Sequence, residues 1–335
     1  VDHVGGTAYF RERNPHMQVI AGANNVEHQA YDSRLAAFRG NRSAFAFSEK
    51  FAEAFNYYQE QGYTDFPAQD NPSADILVQD KLVFELGDTV FEVIAVPGAE
   101  TNDSLIVWLP QHRICFTGNL FGCPFGHFPN LVTIRGDRYR EALVVANAVQ
   151  IVRDLEPEMI CYGHHGPVIG AELIREEQTA LHGAIMNVHN ETVKGMNAGK
   201  DVHTLMNEIT LPAEFEVGEG YGKVSWGVRA IWESYAGWFH HRSTTELYNV
   251  PQSAVAADLL ELAGGAAALL TRAQEKFSAS EHEQALYLLD IIRDAGAESA
   301  ESRTLCESVH QALLEHSSNF WLSSWLKNQL RLLQN

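Results

Sequence analysis

The stretch DSLIVWLPQHRICFTGN, residues 103–119, decides the fold. Two apolar, β-rich runs, Leu105 to Leu109 and Arg113 to Thr117, flank a short Pro-Gln-His turn, which predicts two buried strands joined as a hairpin. Upstream, HMQVIAG (16–22) and VFEVIAVPG (90–98) are β-branched runs closed by Gly or Pro-Gly, as strands are. Downstream, DRYREALVVANAVQIVRDL (137–155) carries apolar residues at helical spacing, and EPEMICYGHHGPV (156–168) runs from a strand into a loop. Strands and helices in mixed order, with polar residues where the strands end, predict a layered α/β domain.

From about Gly170 onward the strand signals stop. AELIREEQTALHGAIMNVHNETVKGMNAGK (171–200) predicts a long helix, DVHTLMNEI (201–209) a short one, and SWGVRAIWESYAGWF (225–239) an aromatic-faced one. The remainder reads as several helices broken at Gly264-Gly265, near SASEHE (278–283) and near DAGAESAES (294–302), without a clean repeat. The expected division is an α/β domain over 1–175 and an all-helical one over 176–335.

A length of 335 residues suits two domains at ~150 residues each. A hydrophobic fraction of 45% and a charged fraction of 20% describe an ordinary globular chain. The net charge of −19 argues against a nucleic-acid or anionic-membrane surface, which needs clustered Lys and Arg. No apolar run approaches the ~20 residues of a membrane span. Cys115, Cys123, Cys161 and Cys306 lie far apart without CxxC spacing, so no disulfide framework is expected. Cys115 and Cys161 read as buried small hydrophobes, and the cysteine usage leans towards a reducing, cytoplasmic compartment.

Four places at strand-to-loop transitions carry unusual chemistry: Asp2-His3 in VDHVGG, Glu100 after VPGA, Asn119 after FTG, and His164-His165 in GHHGP. Their order resembles the metallo-β-lactamase superfamily, in which HxHxDH, a residue after PG, an acid after TG and a His in GHG build a two-metal site. Within it the chain is most similar to alkylsulfatases, through VPGAE (96–100), PQHRICF (110–116), NLVTIRG (130–136), GHHGP (163–167), YGKVSWGVRAIWESYAGWF (221–239) and ELAGGAAALL (261–270). The resemblance implies an αββα sandwich followed by that family's helical dimerisation domain. It also implies that VDHVGG is the second half of the first motif, with two histidines and at least two strands upstream of Val1.

The implied function is zinc-dependent hydrolysis of a small sulfate ester by a homodimer, using one or two Zn2+ ions and a metal-bound hydroxide. Asp2, His3 and His164 would hold one ion and its water, with His165 the alternative to His164. Glu100, where a His is more usual, would serve the other with the upstream histidines. Asn119 stands where the family has a bridging acid; a neutral amide bridges poorly, and a plain turn residue after Gly118 is the competing reading. Fewer than two tightly held ions are therefore expected.

Arg135 and Tyr221 fall in stretches resembling the sulfatases' anion-binding region, where an Arg fork suits sulfate oxygens. The competing readings are a surface pair with Asp137 for Arg135 and a core position for Tyr221. FGCPFGHFPN (121–130) would line an apolar pocket with His127 at its rim, or form a packed loop. His182 and His189 share one helical face without an evident third ligand, His240-His241 mark a helix end, and Trp226, Trp232 and Trp238 suit a core or dimer interface. Two other functions remain open: hydrolysis of a lactone, lactam, thioester or phosphoester on the same fold, and a non-catalytic dimeric scaffold. Many alkylsulfatases continue into a sterol-carrier-like domain; a chain ending at Asn335 speaks against a long-chain detergent substrate.

Overall fold

The computed structural model describes residues 4–64, 71–122 and 124–334, so Asp2, His3 and Cys123 lie outside the described residues. The chain divides into two compact units, one through Trp238 and one from Phe239 onward.

The first unit begins with α1 (Thr7–Arg13), β1 (Ile20–Gly22), α2 (Asn25–Glu60) and β2 (Ile76–Val78), and β1 and β2 pair in parallel. Asp75 anchors this segment: it accepts from the Val19 amide at 2.7 Å and from Arg11 at 2.7 Å, and the two bonds hold its carboxyl below the usual range. Six further strands follow: β3 (Lys81–Leu86), β4 (Thr89–Ala95), β5 (Leu105–Leu109), β6 (Ile114–Gly118), β7 (Met159–Tyr162) and β8 (Val168–Ile169). They form one sheet in sequential order, antiparallel throughout except for the parallel β6–β7 pair. The crossover that a parallel pair needs is supplied by α3 (Ala142–Asp154).

The hairpin at 105–118 forms as read, but only one face of it is buried. Ile106, Trp108, Cys115 and Thr117 point into the core, whereas Phe116 is 43% exposed. Cys115 is a buried thiol, and burial pushes it up to about 12; Cys161 is half-buried. α3 then packs on α4 (Ala171–Asn197), which packs on α6 (Val224–Ala236), while α5 (Val202–Glu208) lies against α6. Ile106, Val149, Ile160, Ile174, Ile185 and Val228 are completely buried in this shared core. Strands end at Ile169, where their signals stop in the sequence, yet the first unit extends through α6, because that helix buries its face, Trp232 included, in the same core.

The 36-residue α2 has no counterpart in the sequence reading. None of its residues is buried, and Phe38, Phe51, Phe55 and Tyr57 remain exposed, so it shows no apolar stripe of the kind that marks a helix packed on a core. Polar contacts hold its first half instead. Asn25 donates to Asp103 at 2.8 Å, and Arg39 and Tyr31 both reach Asp137, at 2.8 and 3.0 Å.

The second unit is helical: α7 (Ala256–Leu262), α8 (Ala266–Ser278), α9 (His282–Asp294), α10 (Ala300–Glu315) and α11 (Phe320–Gln334). Its core is built around Ala273, Ala285, Ile292 and Val309. α10 starts with a reciprocal cap: Ser299 Oγ accepts from the Ser302 amide at 3.2 Å, and Ser302 Oγ from the Ser299 amide at 2.9 Å. Among the described residues, no single helix is long and apolar enough to cross a membrane.

Candidate metal centre

The sheet register brings the candidate residues to one edge. β5 is antiparallel to both β4 and β6, and β6 is parallel to β7, so β4, β6 and β7 all run the same way. Their C-terminal ends lead into Glu100, Asn119 and His164-His165 respectively. β5 lies between the first two, which spaces the β4 and β6 ends ~10 Å apart.

Glu100 sits in a tightly wound loop, in which the Gly98 amide donates to Thr101 O at 2.8 Å and the Val96 amide to Ser104 O at 2.9 Å. Its carboxylate is gripped by Arg140: Nη2 donates to Glu100 Oε1 at 2.8 Å and Nε to the Glu100 carbonyl at 2.9 Å. The third guanidinium nitrogen donates to the Asn130 carbonyl. The sequence reading passed over Arg140; its only signal was position, just ahead of the α3 helix. Glu100 and Arg140 line a narrow cleft of about 100 Å³ with His28, Tyr31 and Arg138.

Asn119 and the two histidines are neighbours through the parallel β6–β7 pair. The Gly163 amide donates to Gly118 O at 2.7 Å, which continues the ladder past the strand ends. The Asn119 amide packs directly over Gly163: a Cβ there would stand 2.1 Å from Asn119 Oδ1, so only glycine permits the approach. His164 and His165 are exposed, and His165 adopts a left-handed backbone at φ 62°. A residue other than glycine adopts that region seldom. An aromatic series leads away from this loop, from His165 to Tyr162 at 6.4 Å, to Phe125 at 5.6 Å and to Phe121 at 5.1 Å. Phe121, Phe125 and Phe128 are buried, so the FGCPFGHFPN segment is largely packed into the core.

His127 belongs to that segment and meets the glycine-rich loop holding Tyr221. Its Nδ1 accepts from the Gly220 amide at 3.0 Å, while the Phe128 amide donates to Gly218 O at 2.8 Å. A Cβ on Gly218 would stand 2.3 Å from the ring, so this loop closes over the imidazole. Burial holds His127 below its ordinary range, and it is a neutral Nε2–H tautomer at neutral pH. Tyr221, next along, is half-buried. Arg135 lies in a turn whose carbonyls are held by Arg42, through Arg135 O at 2.5 Å and Ile134 O at 2.8 Å. Asp137, the surface partner suggested for Arg135, is engaged by Arg39 and Tyr31.

His189 is buried, with Nε2 at 2.9 Å from the Tyr235 hydroxyl and Nδ1 at 3.0 Å from Asn190. The His240 amide donates to Glu246 at 2.8 Å, just beyond α6. Imidazole nitrogens and a carboxylate oxygen at one sheet edge are donor types that zinc accepts, beside which the Asn119 amide is a neutral dipole. Among the described residues, no three His, Cys, Asp or Glu side chains stand together, so these residues supply only part of a ligand set.

The Metallo-beta-lactamase superfamily model matches residues 1–164, and the Alkyl sulfatase dimerisation model matches residues 202–334. A linear primary-alkylsulfatase of a Pseudomonas species is 27% identical over 59% of this chain and 38% of its own length. An alkyl/aryl-sulfatase of Saccharomyces cerevisiae is 25% identical over 74% of this chain and 38% of its own. The chain thus spans under two fifths of the length of these curated relatives. The solved structure of a stereoselective inverting sec-alkylsulfatase from Pseudomonas superposes with a TM-score of 0.82 at 18% identity, covering 99% of this chain and 55% of that one. The shared fold and the two family matches agree. This chain carries a metallo-β-lactamase domain over residues 1–164 and an alkyl sulfatase dimerisation region over residues 202–334.

Proposed function

We propose that the chain is a zinc-dependent sulfate-ester hydrolase that acts as a homodimer. The observation that carries this reading is the convergence of the β4, β6 and β7 ends, with Glu100, Asn119 and His164-His165, on one sheet edge. Asp2, His3 and either His164 or His165 would hold one metal ion, and Glu100 would contribute to a second. Zinc, when bound, supplies positive charge and a water acidic enough to ionise near neutral pH.

The chain's own residues supply the rest. Arg140 fixes the Glu100 carboxylate through one oxygen and its backbone, so the group enters the site already oriented. Asn119 brings a dipole without a charge, which supports retention of fewer than two tight ions. Arg135 would pair with the sulfate oxygens, and Tyr221 would present its hydroxyl to the same group. His127, kept neutral by burial, holds the Tyr221 loop through the Gly220 amide. The region over 202–334 would form the dimer.

The discriminating experiment is a panel of sulfate, phosphate and lactone esters offered to the zinc-loaded protein. Release of sulfate alone supports this reading, whereas turnover of a lactone or phosphate ester without sulfate release overturns it.

A further inference from the structure

The long helix α2 carries an uncharged row on the side away from its anchoring contacts. Tyr31 and Arg42, which bind Asp137 and the Ile134 carbonyl, project from one side of the helix. On the other side, steps of four, four, three, four and four residues lead from Ala36 through Gly40 and Ala44 to Phe47, Phe51 and Phe55. Steps of three or four keep a row on one helical face. None of the six is charged, in a chain whose net charge is −19. The three small residues are exposed, and so are Phe51, at 70%, and Phe55, at 49%.

A glycine inside a helix weakens it relative to alanine. Gly40 has no positive φ, and beyond its own helix backbone no atom of the described residues would stand within 4 Å of a Cβ there. No contact among the described residues therefore requires a glycine, whereas close approach of another helix would. The order of sizes along the row indicates what approaches. Its steps read the same in both directions, with small residues in the first half and phenylalanines in the second. An antiparallel second copy, with the two-fold axis between Phe45 and Ala46, sets Ala44 against Phe47, Gly40 against Phe51 and Ala36 against Phe55. Each ring then meets a small residue on the facing helix, and the glycine meets the most exposed ring of the row.

We propose that α2 packs through this row, antiparallel, against α2 of a second copy of this chain. Helices draw most of their stability from packing a face, and α2 buries no residue within its own unit. A two-fold pair supplies that packing to both copies at once, because each gives its small half to the other's aromatic half. The contact is independent of the proposed hydrolysis and of the dimer region over 202–334, so its failure leaves both untouched.

Crosslinking of the full chain through one added cysteine, with a short bis-maleimide and the wild-type chain as background, tests this. Across the two-fold axis the two copies of Ala44 lie about 5 Å apart along the helix, and those of Ala36 about 28 Å apart. Ala44→Cys should therefore yield at least ten-fold more covalent dimer than Ala36→Cys. Adding Gly40→Leu or Phe51→Glu to Ala44→Cys should cut that yield at least ten-fold. Circular dichroism should stay unchanged, because both positions are exposed. No linkage in Ala44→Cys, equal linkage in Ala36→Cys and Ala44→Cys, or linkage that survives either added substitution would overturn the assignment.

Discussion

Arg140 donates to Glu100 twice, from Nη2 to Oε1 at 2.8 Å and from Nε to the main-chain carbonyl at 2.9 Å. The pair is largely shielded, with side-chain exposures of 11% for Arg140 and 27% for Glu100. Removing the guanidinium leaves the carboxylate without this partner and releases the Asn130 carbonyl as well. Arg140→Met should therefore cost roughly 2–4 kcal/mol. Arg140→Lys should fall between it and wild type, because it keeps the charge and loses the fork. Urea denaturation at constant m-value measures both; a loss below about 0.5 kcal/mol for the Met variant would reduce the clamp to a surface pair.

Gly163→Ala tests the contact between Asn119 and the histidine loop. The new methyl would stand 2.1 Å from Asn119 Oδ1 and 3.3 Å from the Gly118 carbonyl carbon. The amide must swing away, while the β6–β7 ladder persists. The expected readout is a displaced Asn119 side-chain amide signal by NMR, with a stability loss of about 1–3 kcal/mol. An unmoved Asn119 resonance would contradict the packing described.

His127 gives a pH signature. Its folded pKa is lowered by burial from an ordinary 6.5, so the unfolded chain binds a proton that the folded chain refuses. This contribution to stability is intact above about 6.5 and is lost progressively as pH falls from there to the depressed folded value. His127→Asn should lose less stability than wild type between pH 7 and pH 5 in parallel denaturant titrations. Equal losses would mean that His127 titrates normally in the fold.

The sequence revealed some of these features and hid others for physical reasons. β5 and β6 were legible because apolar runs meet at a Pro-containing turn, and the helices after Gly170 because their apolar residues recur at helical spacing. α2 was not, because it buries no residue and is held by Arg39, Tyr31 and Asn25, polar side chains without a periodic pattern. Glu100, Asn119 and His164 stood out as candidates by their places beside Pro-Gly, Thr-Gly and Gly-His-His. Arg140 and the Asn119–Gly163 contact arise only from tertiary pairing, which no local pattern encodes. The His127–Gly220 bond was equally hidden, since it joins residues distant in the chain.

The dimerisation region leads to a mass measurement. The second unit exposes Leu262, Tyr287 and Leu332, apolar surface available for self-association. Sedimentation velocity should give about twice the chain mass of 37.3 kDa. A species at 37.3 kDa across micromolar concentrations would remove the homodimer from the proposal.

The most direct test of the central claim follows sulfate released from a sulfate ester as zinc is removed and returned. The account predicts that release stops on chelation, resumes with zinc at fewer than two tightly held ions per chain, and is lost when both histidines are replaced in His164→Ala/His165→Ala. Sulfate release that persists after chelation, or that survives loss of both histidines, would contradict it.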